Sequence, residues 1–393
     1  MTSRLDTEVW ALDKCSGCGD CIALCSKGVL YPGRDQHPDR EAREKALGLS
    51  HTLLDTCTFC QKFCEEGCPR LRDEWVPIAP LRVVTAAARG VVNSDEPADV
   101  IRHLLIGAMA VGLIDGAIVP DMDPWKLKPI AKVATTVSEI VDSSAVHCLW
   151  VPTLSVLNEA VFVQGLRDLA IVGTPCVSQG LRALKGSCNE RLSPYQEAIR
   201  LSIANFCTGV YLPEMVTRSL EEELGVPPRT IRRLEASPRA DRLTAVLWNG
   251  STLSVPLARV EKYTRRGCAR CDDYVGESAD IAVGIVGATD GACTVIARSA
   301  VGDACLRAAV ELGLLELGDA VDQEALARAT EEKERRQRAQ EFDRLTVMLL
   351  DALAEPRKRA AVRQAYVHLY ENKRAAELRT SKEEASCVTC SQC

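Results

Sequence analysis

Two apolar runs in the middle of the chain set its class. Ala117-Ile118-Val119 and Leu169-Ala170-Ile171-Val172-Gly173 are short, uninterrupted and closed by turn residues, as strands buried on both faces are. Residues 154–166 between them read as a helix, and residues 104–119 as a buried helix that gives way to a strand at Asp115. That stretch is short for a membrane span. Helix and strand patterns alternate from residue 81 to about 187, which predicts an α/β domain. More strands are expected at 245–248, 280–284 and 294–297, with Asn249-Gly250 as a hairpin turn after the first of them.

The pattern changes on either side. Residues 1–78 are short-looped and poor in long helices, and residues 76–80 read as a linker. From 323 to about 385, Ala, Glu, Arg and Leu dominate, which predicts two helices broken near Pro356. The charged run 331–338 reads as a solvated helix face.

Composition narrows the function classes. The 393 residues are 47% apolar, enough for two or three cores. The formal charge is −6 and aromatics make up 4%, so neither a basic patch nor a stacking platform for nucleic acid is expected. The first six residues carry no apolar signal segment, so the expected location is the cytoplasm.

Nineteen cysteines then dominate the reading. In a reducing compartment, clustered cysteines bind metal more often than they pair. Cys15-x2-Cys18-x2-Cys21-x3-Cys25 is one run; Cys57-x2-Cys60-x3-Cys64-x3-Cys68-Pro69 is another. Two-residue gaps let a tight loop reach three corners of a 4Fe–4S cluster while a distant cysteine closes the fourth. By the two-cluster ferredoxin rule, Cys15, Cys18, Cys21 and Cys68 take one cluster, and Cys57, Cys60, Cys64 and Cys25 the other. Zinc sites are the alternative, but these favour two spaced pairs, often with histidine. Two irregularities stand out: Ser26 follows Cys25 where proline is usual, and one extra residue separates Cys60 from Cys64.

Cys176, Cys207, Cys268 and Cys271 are dispersed, each just after an expected strand or at a turn. The terminal Cys387-x2-Cys390-x2-Cys393 is three-quarters of a cluster site; its fourth ligand would be Cys305, a partner residue or a small molecule, and a tail of incidental thiols is the alternative. Cys148, Cys188, Cys293 and Cys305 read as small core residues.

Longer motifs carry a resemblance. Residues 171–176 (Ile-Val-Gly-Thr-Pro-Cys) are followed by Gly180-Leu181-Arg182, then Asn205-Phe206-Cys207-Thr208 and Gly267-Cys268-Ala269-Arg270-Cys271-Asp272-Asp273. After these come Ala279-Asp280-Ile281-Ala282-Val283-Gly284 and Val295-Ile296-Ala297-Arg298. Over residues 83–317 the chain resembles the coenzyme F420 hydrogenase/dehydrogenase beta-subunit family. The resemblance implies FAD and a 4Fe–4S cluster in this domain, the cluster on Cys176, Cys207, Cys268 and Cys271. The flavin is expected near Gly173, Thr174 and Pro175 and near Gly284 and Gly287, where turns after strands free backbone N–H groups. One departure is that Ala98-Asp99-Val100-Ile101-Arg102 stands where the family has glycines beside the flavin. Side chains fill such space, so either the flavin sits differently or the substrate side has changed.

The expected layout is a bacterial-type ferredoxin-like domain with two 4Fe–4S clusters (1–78), an α/β (α+β) flavin and 4Fe–4S domain (79–320), and a helical arm ending in the cysteine tail (321–393). The resemblance implies an oxidoreductase subunit exchanging hydride between FAD and the deazaflavin coenzyme F420, and passing single electrons to other redox subunits or ferredoxin in a hetero-oligomeric complex. The alternatives are a ferredoxin-linked reductase of another organic substrate and a flavin-free relay or scaffold.

Overall fold

The structure is a computed structural model that describes residues 3–26, 28, 30–33, 37–38, 62–72, 75–90, 97–123, 128–143, 148–237, 242–318, 320–354 and 367. The two apolar runs lie at the centre of an eight-stranded sheet. Its strands are β1 (Arg82–Ala88), β2 (Gly116–Asp123), β3 (Lys128–Ala134), β4 (Leu169–Gly173), β5 (Ile199–Asn205), β9 (Ile281–Gly284), β10 (Cys293–Ala297) and β11 (Leu315–Leu317), in the order β11-β1-β10-β9-β5-β4-β2-β3. The middle four, β2, β4, β5 and β9, run parallel, and antiparallel strands flank them.

The parallel strands are covered on both faces, which is why they read as continuous apolar runs. Along β4, Ala170 and Val172 face one core while Leu169 and Ile171 face the other. The first core lies under helices α1 (Pro97–Ala110) and α3 (Ala300–Glu311). Gly107 lets these helices meet: a Cβ there would stand 2.9 Å from the Ala309 Cα. The second core lies under residues 153–163 and helix α2 (Pro175–Lys185), and it also contains Cys18, Ala23 and Leu24. The N-terminal cysteine segment therefore packs on the sheet. A second sheet, β6 (Ile231–Ser237), β7 (Arg242–Leu247) and β8 (Thr252–Pro256), is antiparallel and closes a third core with Leu149, Met215 and Leu220. Gly250, at positive φ, makes the expected turn between β7 and β8.

The chain divides into two compact units, Met1–Arg335 and Arg336–Cys393. Helix α4 (Gln323–Ala354) is the described part of the expected helical arm; Pro356 lies outside the described residues. Among the described residues no helix is long and apolar enough to cross a membrane.

Two details differ from the expectations. Residues 154–166 are not a regular helix. A 3-10 turn (Thr153–Val156) passes into a wide π segment (Glu159–Val163), and the Leu154 N–H in the first turn bonds the Cys18 carbonyl. Cys188 is exposed, in the connection that follows α2, whereas Cys293 and Cys305 are fully buried and Cys148 is half-buried. Cys305, as expected of a core residue, points its thiol at the Leu104 carbonyl inside the first core.

Candidate iron–sulfur site

The N-terminal loop brings its thiols together. Gly17 and Gly19, both at positive φ, turn the backbone between Cys15 and Cys21. Cys21 lies within electrostatic reach of Cys15, Cys18, Cys68 and Cys64. Cys68 in turn senses Cys15. Burial pushes the Cys68 thiol up to about 12 and holds Cys18 and Cys21 well above an ordinary thiol. A metal binding here must displace those protons, as thiolate ligation always does. Asp20 between them is fully buried and held far above the carboxylate range by that burial. Cys25 and Cys64 border the same small core as Leu5, Val9 and Leu30. Cys57, Cys60, Cys387, Cys390 and Cys393 lie outside the described residues.

The dispersed cysteines also converge. Cys176 sits in the first turn of α2 and Cys207 just beyond β5. Their strands are parallel neighbours, pairing Gly173 with Ala204, so both thiols emerge at one sheet edge. The segment with Cys268 and Cys271 is drawn to that edge by Arg265 N–H bonding the Val210 carbonyl and Cys207 N–H bonding the Tyr274 carbonyl. Cys207 senses Cys268, Cys176 and Cys271, and Cys176 senses Cys271 and Cys268. Burial pushes Cys207 up to about 12, Cys176 up to about 11, and Cys268 upward. Among the described residues no three Cys, His, Asp or Glu side chains close on a single ion. A four-iron cube asks for a wider arrangement, since each thiolate binds a separate iron.

Buried cations face these thiols. Burial opposes the charge on Arg70, but Cys271 and Cys176 outweigh it and raise the guanidinium. Its Nε and Nη2 are sealed, with no partner among the described residues. The guanidinium is within hydrogen-bonding reach of Cys271, and its sealed donors beside Cys271 and Cys176 fit an anionic iron–sulfur group, whose sulfurs accept hydrogen bonds. Lys333 is likewise raised, by Cys271, Cys207 and Cys268 against the effect of burial.

The two sets of thiols are neighbours. The Cys176 Sγ lies 3.7 Å from the Ser16 carbonyl oxygen, and Cys18 senses Cys176. Arg265, 1% exposed, donates Nη1–H to that Ser16 carbonyl at 2.6 Å and lays its guanidinium 4.3 Å from the Trp150 ring centroid. Trp150 donates its indole N–H to the Gly17 carbonyl at 2.8 Å. A Cβ on Gly267 would collide with the Cys15 carbonyl, so only glycine lets the 266–271 turn meet the loop.

A small cleft opens beside Cys176 at the C-terminal ends of β2, β4 and β5; Ser16, Trp150, Gly173, Thr174 and Asn205 line it. Of the expected flavin residues, Gly173 and Thr174 are on the cleft, and Pro175 is buried in the first turn of α2. Gly284 packs against Phe206, and Gly287 turns at positive φ against Val321 and Asp322; neither lines the cleft. Ala98, Val100 and Ile101 point into the first core, and Asp99 pairs with Arg102 at 2.7 Å.

Sequence reasoning passed over Arg70, Trp150, Arg265 and Lys333. Lys333 fell within the run read as solvated, yet it is 7% exposed. Leu326, Ala329 and Lys333 share one helix stripe, and that spacing was the available signal.

Residues 14–72 match the family described as "4Fe-4S dicluster domain". Residues 91–158 and 166–323 match the N-terminal and C-terminal parts of "Coenzyme F420 hydrogenase/dehydrogenase, beta subunit". An uncharacterized protein of Methanocaldococcus jannaschii is 33% identical over 85% of this chain and 97% of its own length. The coenzyme F420 hydrogenase subunit beta of Methanosarcina barkeri is 31% identical over 54% of this chain and 72% of its own. A coenzyme F420-dependent sulfite reductase of Methanocaldococcus jannaschii is 28% identical over 84% of this chain but only 51% of its own. A chain of the F420-reducing NiFe hydrogenase complex from Methanosarcina barkeri shares the fold, with TM-score 0.60 and 24% identity over 70% of this chain and 96% of that one.

Proposed function

This chain belongs to the coenzyme F420 hydrogenase/dehydrogenase beta-subunit family, and from that premise we propose that it is an iron–sulfur electron-transfer subunit of an F420-linked oxidoreductase. One 4Fe–4S cluster would be held by Cys176, Cys207, Cys268 and Cys271, and its neighbour by Cys15, Cys18, Cys21 and Cys68. A second N-terminal cluster would use Cys25 and Cys64 with Cys57 and Cys60. When bound, such clusters take up and release single electrons. The observation that carries the reading is the contact of Cys176 with the Ser16 loop, which sets the two groups of thiols side by side. The protein's part is to fix that spacing, bury the thiols and supply buried positive charge around them.

FAD is the finer proposal. The place proposed for it is beside Cys176, with Gly173 and Thr174 at the start of α2 as its contacts. A flavin supplies the conversion of a hydride into two single electrons. The substrate proposed for this site is the deazaflavin F420, as the names of the relatives suggest. The flavin-free relay is favoured by one observation, the sequence departure at 98–102, where Ala98 and Asp99 stand in place of the family's glycines. Iron, sulfide and flavin per chain, measured on anaerobically purified protein, separate the two. Flavin near one per chain with full iron supports the oxidoreductase; full iron without flavin supports the relay. Stoichiometric zinc without sulfide overturns both.

A further inference from the structure

Two cations that no cysteine motif announces stand against the central thiols. The Lys333 Nζ donates to the carbonyl oxygens of Cys207 at 2.5 Å and Asp273 at 2.7 Å, bridging the loops that carry Cys207 and Cys271. An ammonium has three donors, and these bonds use two. Arg70 stands against Cys271 and Cys176, within hydrogen-bonding reach of Cys271, and its Nε and Nη2 are buried without a partner among the described residues. Asp272 and Asp273 are the acidic neighbours. Asp273 commits its carboxylate to the backbone N–H groups of Gly276 and Glu277, at 2.7 and 3.1 Å. Burying a cation is costly unless an opposite charge goes with it. Four thiolates on an iron–sulfur group are such a charge.

We propose that Lys333 and Arg70 are the counter-charges of the cluster on Cys176, Cys207, Cys268 and Cys271, and that they hold its reduction potential up. Reduction adds a negative charge to the group, and fixed positive charges in a poorly screened interior favour that addition. One cation comes from the N-terminal cysteine segment and the other from the first turns of α4. The potential of the central cluster thus depends on elements outside the sheet that carries its ligands. The proposal rests on the ligand assignment above.

The test is an anaerobic redox titration of the full iron-loaded chain, followed by electron paramagnetic resonance. The central signal is the one that Cys207→Ser removes. Lys333→Gln and Arg70→Gln should keep their iron and titrate at more negative potential, and the double variant at a more negative potential still. Lys333→Arg and Arg70→Lys should titrate with the wild type. If Lys333→Gln fails to hold iron, Arg70→Gln carries the same test. Iron retained with an unmoved midpoint in the Gln variants overturns the counter-charge role and leaves the ligand assignment intact. Equal iron loss in the charge-conserving and Gln variants also overturns it, because shape rather than charge is then at work. If Cys207→Ser removes neither iron nor signal, the ligand assignment itself fails.

Discussion

The Cys176 Sγ lies 3.7 Å from the carbonyl oxygen of Ser16, 160 residues away in sequence. One thiol of the dispersed set therefore rests on the loop that carries the first ferredoxin-type run. Replacing Cys268 by Ser should remove about four iron per chain, one cluster's worth, and leave the N-terminal iron in place. Iron and acid-labile sulfide analysis checks this; unchanged content would strike Cys268 from the ligand set.

Arg265 is the latch between the two parts. Its buried guanidinium holds the Ser16 carbonyl and stacks on Trp150, which holds Gly17. A hydrogen bond from a charged group contributes about 1.5–3 kcal/mol, and a desolvated cation–π contact adds up to about 2. Arg265→Met should lower stability within that range and raise amide hydrogen exchange at residues 15–19. Exchange confined to its wild-type rate would show that the loop is held by other contacts.

Much of the sheet was legible because it obeys simple periods. β4 and β2 read as continuous apolar runs since both faces are covered, and Asn249-Gly250 announced its own turn. The grouping of Cys15, Cys18 and Cys21 was legible from spacing, because their loop is local, whereas the approach of Cys68 came from the two-cluster ferredoxin rule. The central four were legible only through resemblance. Nothing in sequence spacing reports that parallel pairing of β4 with β5 brings Cys176 beside Cys207. Lys333 was hidden for the opposite reason: its charged neighbours on α4 are solvated and mask one buried position. Gly284 packs closely against Phe206, and Gly287 against Val321 and Asp322.

The core between α1 and α3 should be separable from the metal chemistry. Leu104 is fully buried there, remote in sequence from every proposed ligand. Leu104→Ala should cost about 2–5 kcal/mol from lost transfer energy and the cavity left behind. The check is a denaturant midpoint, with iron content unchanged at low denaturant.

Arg82 and Asp303 supply a pH signature away from the cysteines. Their ion pair, 2.6 Å long, holds the Asp303 carboxyl below the ordinary carboxylate range, chiefly through the hydrogen bond from Arg82. A lowered folded value means the pair's contribution is complete above the unfolded value near 4 and is lost as pH falls through the folded one. Because both side chains are partly exposed, it is worth only about 0.2–1 kcal/mol. Asp303→Asn should therefore be slightly less stable than wild type at pH 7, and the gap should close in acid. A gap that persists unchanged at pH 3 would show that the charge is not its source.

The side-by-side placement of the two sets of thiols is tested most directly by the electron paramagnetic resonance spectrum of the fully reduced, iron-loaded chain. The prediction is a broadened spectrum from interacting clusters, in protein holding about twelve iron, three four-iron groups. Cys207→Ser, which removes only the central cluster, should lose the component broadened by it. A spectrum and iron content that Cys207→Ser leaves unchanged would contradict the placement.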